Sequence, residues 1–405
     1  MAATDEIWTR WKRCLLATGV GLLAPAAARA QSTLDIRTLF YSEADGRTSV
    51  VTPEVYLLED FEDKGKFGVL LSYDSISGAS PTGEAPTSDT TTSASGRTTV
   101  TGSVPTATYE DTRKAISTSY SRRFGRNLPE VQIDYSREND YLSRGFSLVD
   151  GLDLLGGSAT LRLGIGASRD RIEPTNQSVS YDKKSEALTV GWTQVLGPRD
   201  LLDLSLGATR LSGFLSDPYK KVTVGSDAMA EVRPTERRRY SLVVKYGHHF
   251  LMRSALKGFF RVYTDDWGIR SGTLDLTYEQ HMGQRWIVSP HLRFYRQTGA
   301  DFFGYEFDQP EPFMSGDYRL SSFDSWLAGC GARVALTDKL ALTLDGGYQL
   351  QRGTDRFSLP ASTGGGGDEG GDEEGGDEGR RGGGGSFSTA DLTTVTLAVG
   401  ISVRF

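Results

Sequence analysis

The sequence predicts an all-β protein: a transmembrane antiparallel up-and-down β-barrel of about 16 strands, with long extracellular loops and short periplasmic turns. Three observations predict it. Segments alternating apolar and polar residues with a period of two recur along the chain. The connections between them alternate short and long. No stretch of 18 apolar residues follows the N-terminus, which excludes a helical membrane protein.

The first element is an address. Residues 1–30 read as a signal peptide: Arg10, Lys12 and Arg13 are followed by an apolar stretch from Leu15 to Ala28 and by Ala28-Arg29-Ala30, a small-residue cleavage pattern. Cleavage there makes Gln31 the first mature residue and removes Cys14. Cys330 is then the only cysteine left, so no intramolecular disulfide is expected. The mature chain carries 41 Lys and Arg against 50 Asp and Glu. An acidic balance argues against nucleic acid as a partner. Aromatic residues at 10% argue against wholesale disorder.

The strands follow in order. The clearest is the last, where Thr393, Val395, Leu397, Val399, Ile401, Val403 and Phe405 share one face and small or polar residues the other. The same alternation gives strands at roughly 33–41, 47–59, 66–76, 109–124, 129–140, 143–153, 158–172, 183–196, 201–212, 236–250, 254–267, 269–282, 285–298, 318–336, 338–352 and 388–405. An even count places both termini on the periplasmic side and the long connections outside the cell. A secreted β-sandwich shows the same alternation within a strand, but has no reason to segregate its loops by length.

Charged residues fall on the polar faces: Asp134, Arg162, Asp203, Lys245, Arg261, Asp275, Glu279, Arg333 and Asp345. Facing lipid near the midplane, each basic side chain would cost about 2–4 kcal/mol. They are therefore expected to face the lumen, as a pore lining of mixed sign or as a self-satisfied lattice of ion pairs. Two segments read as low-complexity extracellular loops. Residues 77–108 are Ser/Thr-rich; the loop at 353–387 contains a tract, 364–385, with seven carboxylates among glycines. That tract keeps neither the spacing of an EF-hand nor a calcium-binding nonapeptide register, so it is read as solvated surface.

Chemistry candidates are sparse. There is no C-x-x-C-H, G-x-S-x-G or H-E-x-x-H. His248 and His249 are adjacent, so a strand points them to opposite faces. No enzyme activity, no cofactor and no metal site are expected.

Several strings occur together and in order: YDSISGASPTG (73–83), ENDYLSRG (138–145), RIEP (171–174), TQVLGPRDLLDL (193–204), SGFLSDPYK (212–220), DDWGIRSGTLDL (265–276), PHLRFYRQTGADFF (290–303) and DYRLSSFD (317–324). This set resembles the bacterial outer-membrane family called domain of unknown function 3570, and the resemblance covers nearly all of the mature chain. It implies a barrel in the bacterial outer membrane without an assigned activity, with outer-membrane lipid and the barrel-assembly machinery as partners. It also implies an extracytoplasmic redox or metal-handling setting, with periplasmic thioredoxin-like or flavin-transfer proteins nearby. Most of the strings fall at the extracellular strand ends. Asp74, Asp140, Tyr141, Asp217, Tyr219, Asp265, Asp266, Trp267, Arg270, Arg293, Arg296, Asp301, Asp317 and Arg319 are therefore expected to form a polar cluster at the outer mouth, as a ligand or ion gate or as a network that latches the rim. The expected function is a channel or transporter for small polar or ionic solutes; the alternative is a structural or docking barrel.

Overall fold

The computed structural model describes residues 31–62, 65–85, 87–92, 98–103, 105–358 and 386–405. The signal peptide and the acidic glycine tract lie outside the described residues. Sixteen strands form a closed barrel: β1 (Gln31–Glu43), β2 (Thr48–Asp60), β3 (Lys66–Pro81), β4 (Thr106–Ser121), β5 (Asn127–Arg137), β6 (Tyr141–Leu154), β7 (Ala159–Ile172), β8 (Tyr181–Gly197), β9 (Asp200–Gly213), β10 (Glu236–Phe250), β11 (Ser254–Asp265), β12 (Arg270–Met282), β13 (Trp286–Gln297), β14 (Phe323–Ala335), β15 (Leu340–Gly353) and β16 (Leu392–Arg404). Each strand pairs antiparallel with the next, and β16 closes on β1 through a ladder from Thr33↔Arg404 to Glu43↔Thr394. Closure leaves no unpaired sheet edge.

The alternation of residues becomes an alternation of faces. Ile133 lies opposite Phe146, Ile165 opposite Leu188, Leu206 opposite Leu242 and Leu344 opposite Val399. These side chains all face outward and are exposed, Leu206 by 59%. An apolar band around the outside of a closed barrel, with Trp286, Tyr278 and Phe250 near one end and Tyr240 and Trp326 toward the other, suits a lipid surround. The residues between them face inward and include all nine charged positions expected there: Asp134, Arg162, Asp203, Lys245, Arg261, Asp275, Glu279, Arg333 and Asp345.

The connections segregate by length. At one end the strands are joined by short turns, such as 198–199, 251–253 and 283–285. At the other lie the long connections 82–105, 214–235, 298–322 and 354–391. Most strand boundaries shift by up to three residues, β3 runs on to Pro81, and two strands start later than expected. The strand expected at 318–336 starts at Phe323, because Asp317 caps a 3-10 turn at Tyr318–Leu320 by accepting from the Arg319 backbone N–H. The strand expected from 388 starts at Leu392, because the Asp391 N–H turns back to the Ser388 carbonyl. The Ser/Thr-rich stretch 77–108 is also less of a loop than its composition suggests. β3 and β4 stay paired as far as Pro81↔Thr106, and Ala85 is buried, its N–H donating to Thr223 Oγ1 at 2.8 Å.

The compact apolar cores lie in the long-loop end. Trp267, Ile269, Ala300, Phe302 and Leu320 form one cluster. Val222, Val224 and Met314 form another, beside a small sheet in which Lys221–Val224 pairs with Asp227–Ala230 and with Glu306–Phe307. Gly316 marks the tightest approach between loops: a Cβ there would sit 1.9 Å from the Gly83 carbonyl oxygen.

Candidate functional site

The loops 214–235 and 298–322 carry between them a buried ionic network. Asp317, only 1% exposed, receives the Arg319 Nε at 2.9 Å and Nη2 at 2.6 Å, and the Arg233 Nη2 at 2.8 Å. Glu231, 4% exposed, receives Arg233 at 2.7 Å, the Ser315 hydroxyl at 2.5 Å and the Asp217 N–H at 2.6 Å. Arg319 completes the ring through Asp217 at 3.0 Å. Burial alone would push the Asp317 carboxyl up, but Arg319 and Arg233 hold it well below the usual carboxylate range. Burial wins at Glu231, whose carboxyl is raised despite Arg233.

Lys220 extends the network across the opening. Its ammonium donates to Ser80 Oγ at 2.9 Å and to the Pro81 carbonyl, and burial pushes its pKa down. Ser80 and Pro81 end β3, whereas Lys220 follows β9, so this contact reaches between strands well separated around the ring. The Tyr219 hydroxyl donates to Asp140, and the Thr175 N–H donates to Tyr219 at 3.1 Å. Arg47, in the turn between β1 and β2, lies 4.5 Å over the Tyr318 ring and donates to the Asp391 carbonyl at 3.0 Å. Loops from around the ring are thus interlocked into a cap over the mouth.

Beneath the cap is a cavity of about 800 Å³, bounded by the loop residues Phe214–Tyr219, by inward-facing side chains of β10 to β13, and on the other side by Glu138, Asp140, Tyr141 and Lys183. Its wall holds Arg237, Arg239, Arg261, Tyr263 and Tyr295. Arg237 is committed to Asp265 and stacks 4.2 Å over Trp267. Asp265 is itself saturated by the Tyr263 hydroxyl at 2.7 Å and the Trp267 and Ile269 N–H groups at 3.0 Å each. The lumen below is lined by cross-strand ion pairs: Arg162–Asp203 at 3.1 Å, Arg293–Asp275 at 2.7 Å, Lys257–Glu279 at 2.7 Å and Arg37–Asp345 at 3.9 Å.

The structure divides the residues expected at the outer mouth. Asp217, Asp317 and Arg319 lie in the cap network, and Asp140 with Tyr219 extends it. Asp265 and Trp267 hold the cavity wall, and Asp301 packs over Gly268 behind them. Tyr141 lies at the head of β6, where its hydroxyl donates to Asp170 at 2.5 Å. The others lie elsewhere. Asp74 pairs with Arg113 on the inner wall, and Arg293 sits lower in the lumen with Asp275. Arg296 pairs with Asp324 on the outer face, where Phe294 and Trp326 also lie, and Arg270, opposite outward-facing Thr264, shares that outer face. Asp266 accepts the Arg238 N–H at 2.9 Å and does not meet Arg270. Strand parity explains Arg270 and Arg296, which fall on the lipid-side register. The sequence reading omitted Lys220, Glu231, Arg233, Arg237 and Arg239. The string E-R-R-R-Y at 236–240 held a usable signal: alternation must send Arg237 and Arg239 to the same inward face. Asp111, Glu138 and Asp140 bring carboxylate oxygens within 4.8 Å of one another at the rim.

A family model described as "Protein of unknown function (DUF3570)" matches residues 17–183 and 175–358. The chain belongs to this family. No curated protein sequence matches it. Among solved structures, the chain is similar to OccK2 (OpdF) of Pseudomonas aeruginosa, solved in complex with glucuronate, at 11% identity and a TM-score of 0.44, covering 93% of this chain and 98% of that one. It is similar to the outer-membrane protein opdK of the same organism at 7% identity and a TM-score of 0.42, covering 93% and 99%. It is also similar to the siderophore receptor PirA of Pseudomonas aeruginosa at 10% identity and a TM-score of 0.43, covering 83% of this chain but spanning only 58% of the receptor.

Proposed function

We propose that the protein is a non-enzymatic barrel of the bacterial outer membrane that admits small polar or ionic solutes through a water-filled lumen, with the loop cap constricting its outer mouth. One observation carries this reading. The basic side chains that point into the lumen from the cross-strand ion pairs are about half open to water, 53% for Arg162, 53% for Arg293, 58% for Lys257 and 52% for Arg37, while of their acid partners Asp345 is 52% exposed and Asp203, Asp275 and Glu279 are 13%, 15% and 29%. A lattice of ion pairs filling the lumen would bury these groups against one another. Half-exposed charges belong to a wall with solvent in front of it. The apolar outer band and the segregation of loops support the membrane setting.

The test is solute entry into proteoliposomes. Vesicles containing the refolded protein are expected to swell in small sugars and amino acids and to exclude large oligosaccharides. The cap favours a second reading, a closed barrel that docks partners, including the periplasmic thioredoxin-like or flavin-transfer proteins of an extracytoplasmic redox or metal-handling system. Vesicles that never swell, with protein verified as folded, would select that reading.

A further inference from the structure

One wall of the cavity under the cap gathers guanidinium groups, two of them without an ion pair among the described residues, while the carboxylates Glu138 and Asp140 line the cavity elsewhere. Arg237, Arg239 and Arg261 line one wall, and alternation along β10 and β11 aims all three inward. The strand register sets Arg239 opposite Asp265, and Ser241 opposite Tyr263. Yet the Asp265 carboxylate closes on Arg237, leaving Arg239 with no ion pair among the described residues. Its Nε is buried and has no hydrogen-bond partner. Arg261 has no carboxylate partner among the described residues either; it lies 5.3 Å over the Tyr263 ring. Lower in the lumen, by contrast, Arg162 is paired with Asp203 and Arg293 with Asp275.

Gathering like charges without a counter-charge costs free energy in every empty barrel. The cost is recovered when an anion enters, because guanidinium donors bind oxyanions through paired, charge-assisted hydrogen bonds. The cavity volume, about 800 Å³, falls within the range that holds small molecules. Tyr263 and Tyr295 add flat faces beside the two arginines, their hydroxyl protons being committed to Asp265 and Gln297.

We propose that this cavity is a binding site for a small oxyanion, either a carboxylate on an organic body or inorganic phosphate, held by Arg239 and Arg261. The inference rests on the reading of the barrel as a solute conduit and names the class of solute detained beneath the cap.

The experiment is calorimetric titration of the folded, detergent-solubilised protein with benzoate, with inorganic phosphate and with neutral benzamide. At least one of the two anions is expected to bind at least tenfold more tightly than benzamide. Benzoate alone would assign an organic carboxylate, and phosphate alone an inorganic ion. Replacing both arginines, Arg239→Gln with Arg261→Gln, is expected to weaken anion binding at least tenfold while the heat-resistant folded band persists. Should the double variant fail to fold, Arg261→Gln alone, on a side chain open to the cavity, carries the same expectation. Anions that bind no better than benzamide, or equally well to folded wild type and variant, would overturn the proposal. Binding needs no conduction: a barrel that binds the anion yet never swells a vesicle keeps this site and loses the conduit reading, and the opposite pair of results does the reverse.

Discussion

Replacing Asp317 by Asn removes one charge from the centre of the cap while keeping the size of the side chain. The wild-type carboxylate is 1% exposed and bridges Arg319 and Arg233. After the change, Arg319 keeps Asp217 and has the watery cavity to relax into. Arg233 cannot do so: its side chain is 11% exposed and retains only Glu231. Removing one partner from a buried pair costs about 3–5 kcal/mol. Because Arg233 keeps one acid, the low end applies, about 3 kcal/mol, or roughly a hundredfold in the opening equilibrium of the cap. The barrel wall is not part of this network, so global folding is expected to persist. Limited trypsin digestion reads the local opening, since the bonds after Lys220 and Lys221 become cleavable only when the cap lifts. When opening and reclosing are fast relative to cleavage, the rate follows the open population. Cleavage at these sites is expected to rise by up to two orders of magnitude, with the barrel still resistant to unfolding in detergent. Equal digestion of Asp317→Asn and wild type would refute the idea that this network latches the loops.

Three further outcomes follow from the same geometry. Gly316→Ala sets a Cβ 1.9 Å from the Gly83 carbonyl, so the loops 82–105 and 298–322 must part, and hydrogen exchange in both is expected to quicken while β10 to β13 stay protected. Leu206→Arg puts a charge on the outward band at a cost of about 2–4 kcal/mol near the midplane, which is expected to cut refolding yield in lipid vesicles; lumen-facing Ser205→Arg is expected to change it little, and equal effects would contradict the assigned faces. The raised carboxyl of Glu231 binds its proton more readily in the closed cap than in the open one, where a carboxyl near 4.3 is expected. Its contribution is therefore fully present below that ordinary value and lost as pH rises through the raised one, so trypsin access is expected to fall on mild acidification and Glu231→Gln to remove that dependence. Asp317 has the opposite sign, and its depressed carboxyl releases the latch only in stronger acid.

The barrel was legible because its rule is local. A strand such as Leu392–Arg404 states its two faces in every pair of residues, and cross-strand partners only repeat the pattern. The cap was legible in part. The strings around Asp217 and Asp317 pointed to the rim, but Lys220 meets Pro81, some 140 positions away in sequence, and nothing local announces that contact. Arg270 and Arg296 show the opposite difficulty. Their strings look like mouth chemistry, yet parity turns both side chains outward, with Arg296 paired to Asp324. A one-residue error in register would have reversed either assignment. The unmatched guanidiniums of Arg239 and Arg261 depend on where Asp265 spends its charge, and only the folded loop settles that in favour of Arg237.

The central claim is a solvent-filled lumen held under a latched cap. Single-channel recording in planar bilayers tests it most directly, with wild type and Asp317→Asn compared in the same salt. The account predicts ion-selective openings from the wild type and a clear rise in open probability when the latch is broken. Silence from both proteins, each verified as folded, would contradict it.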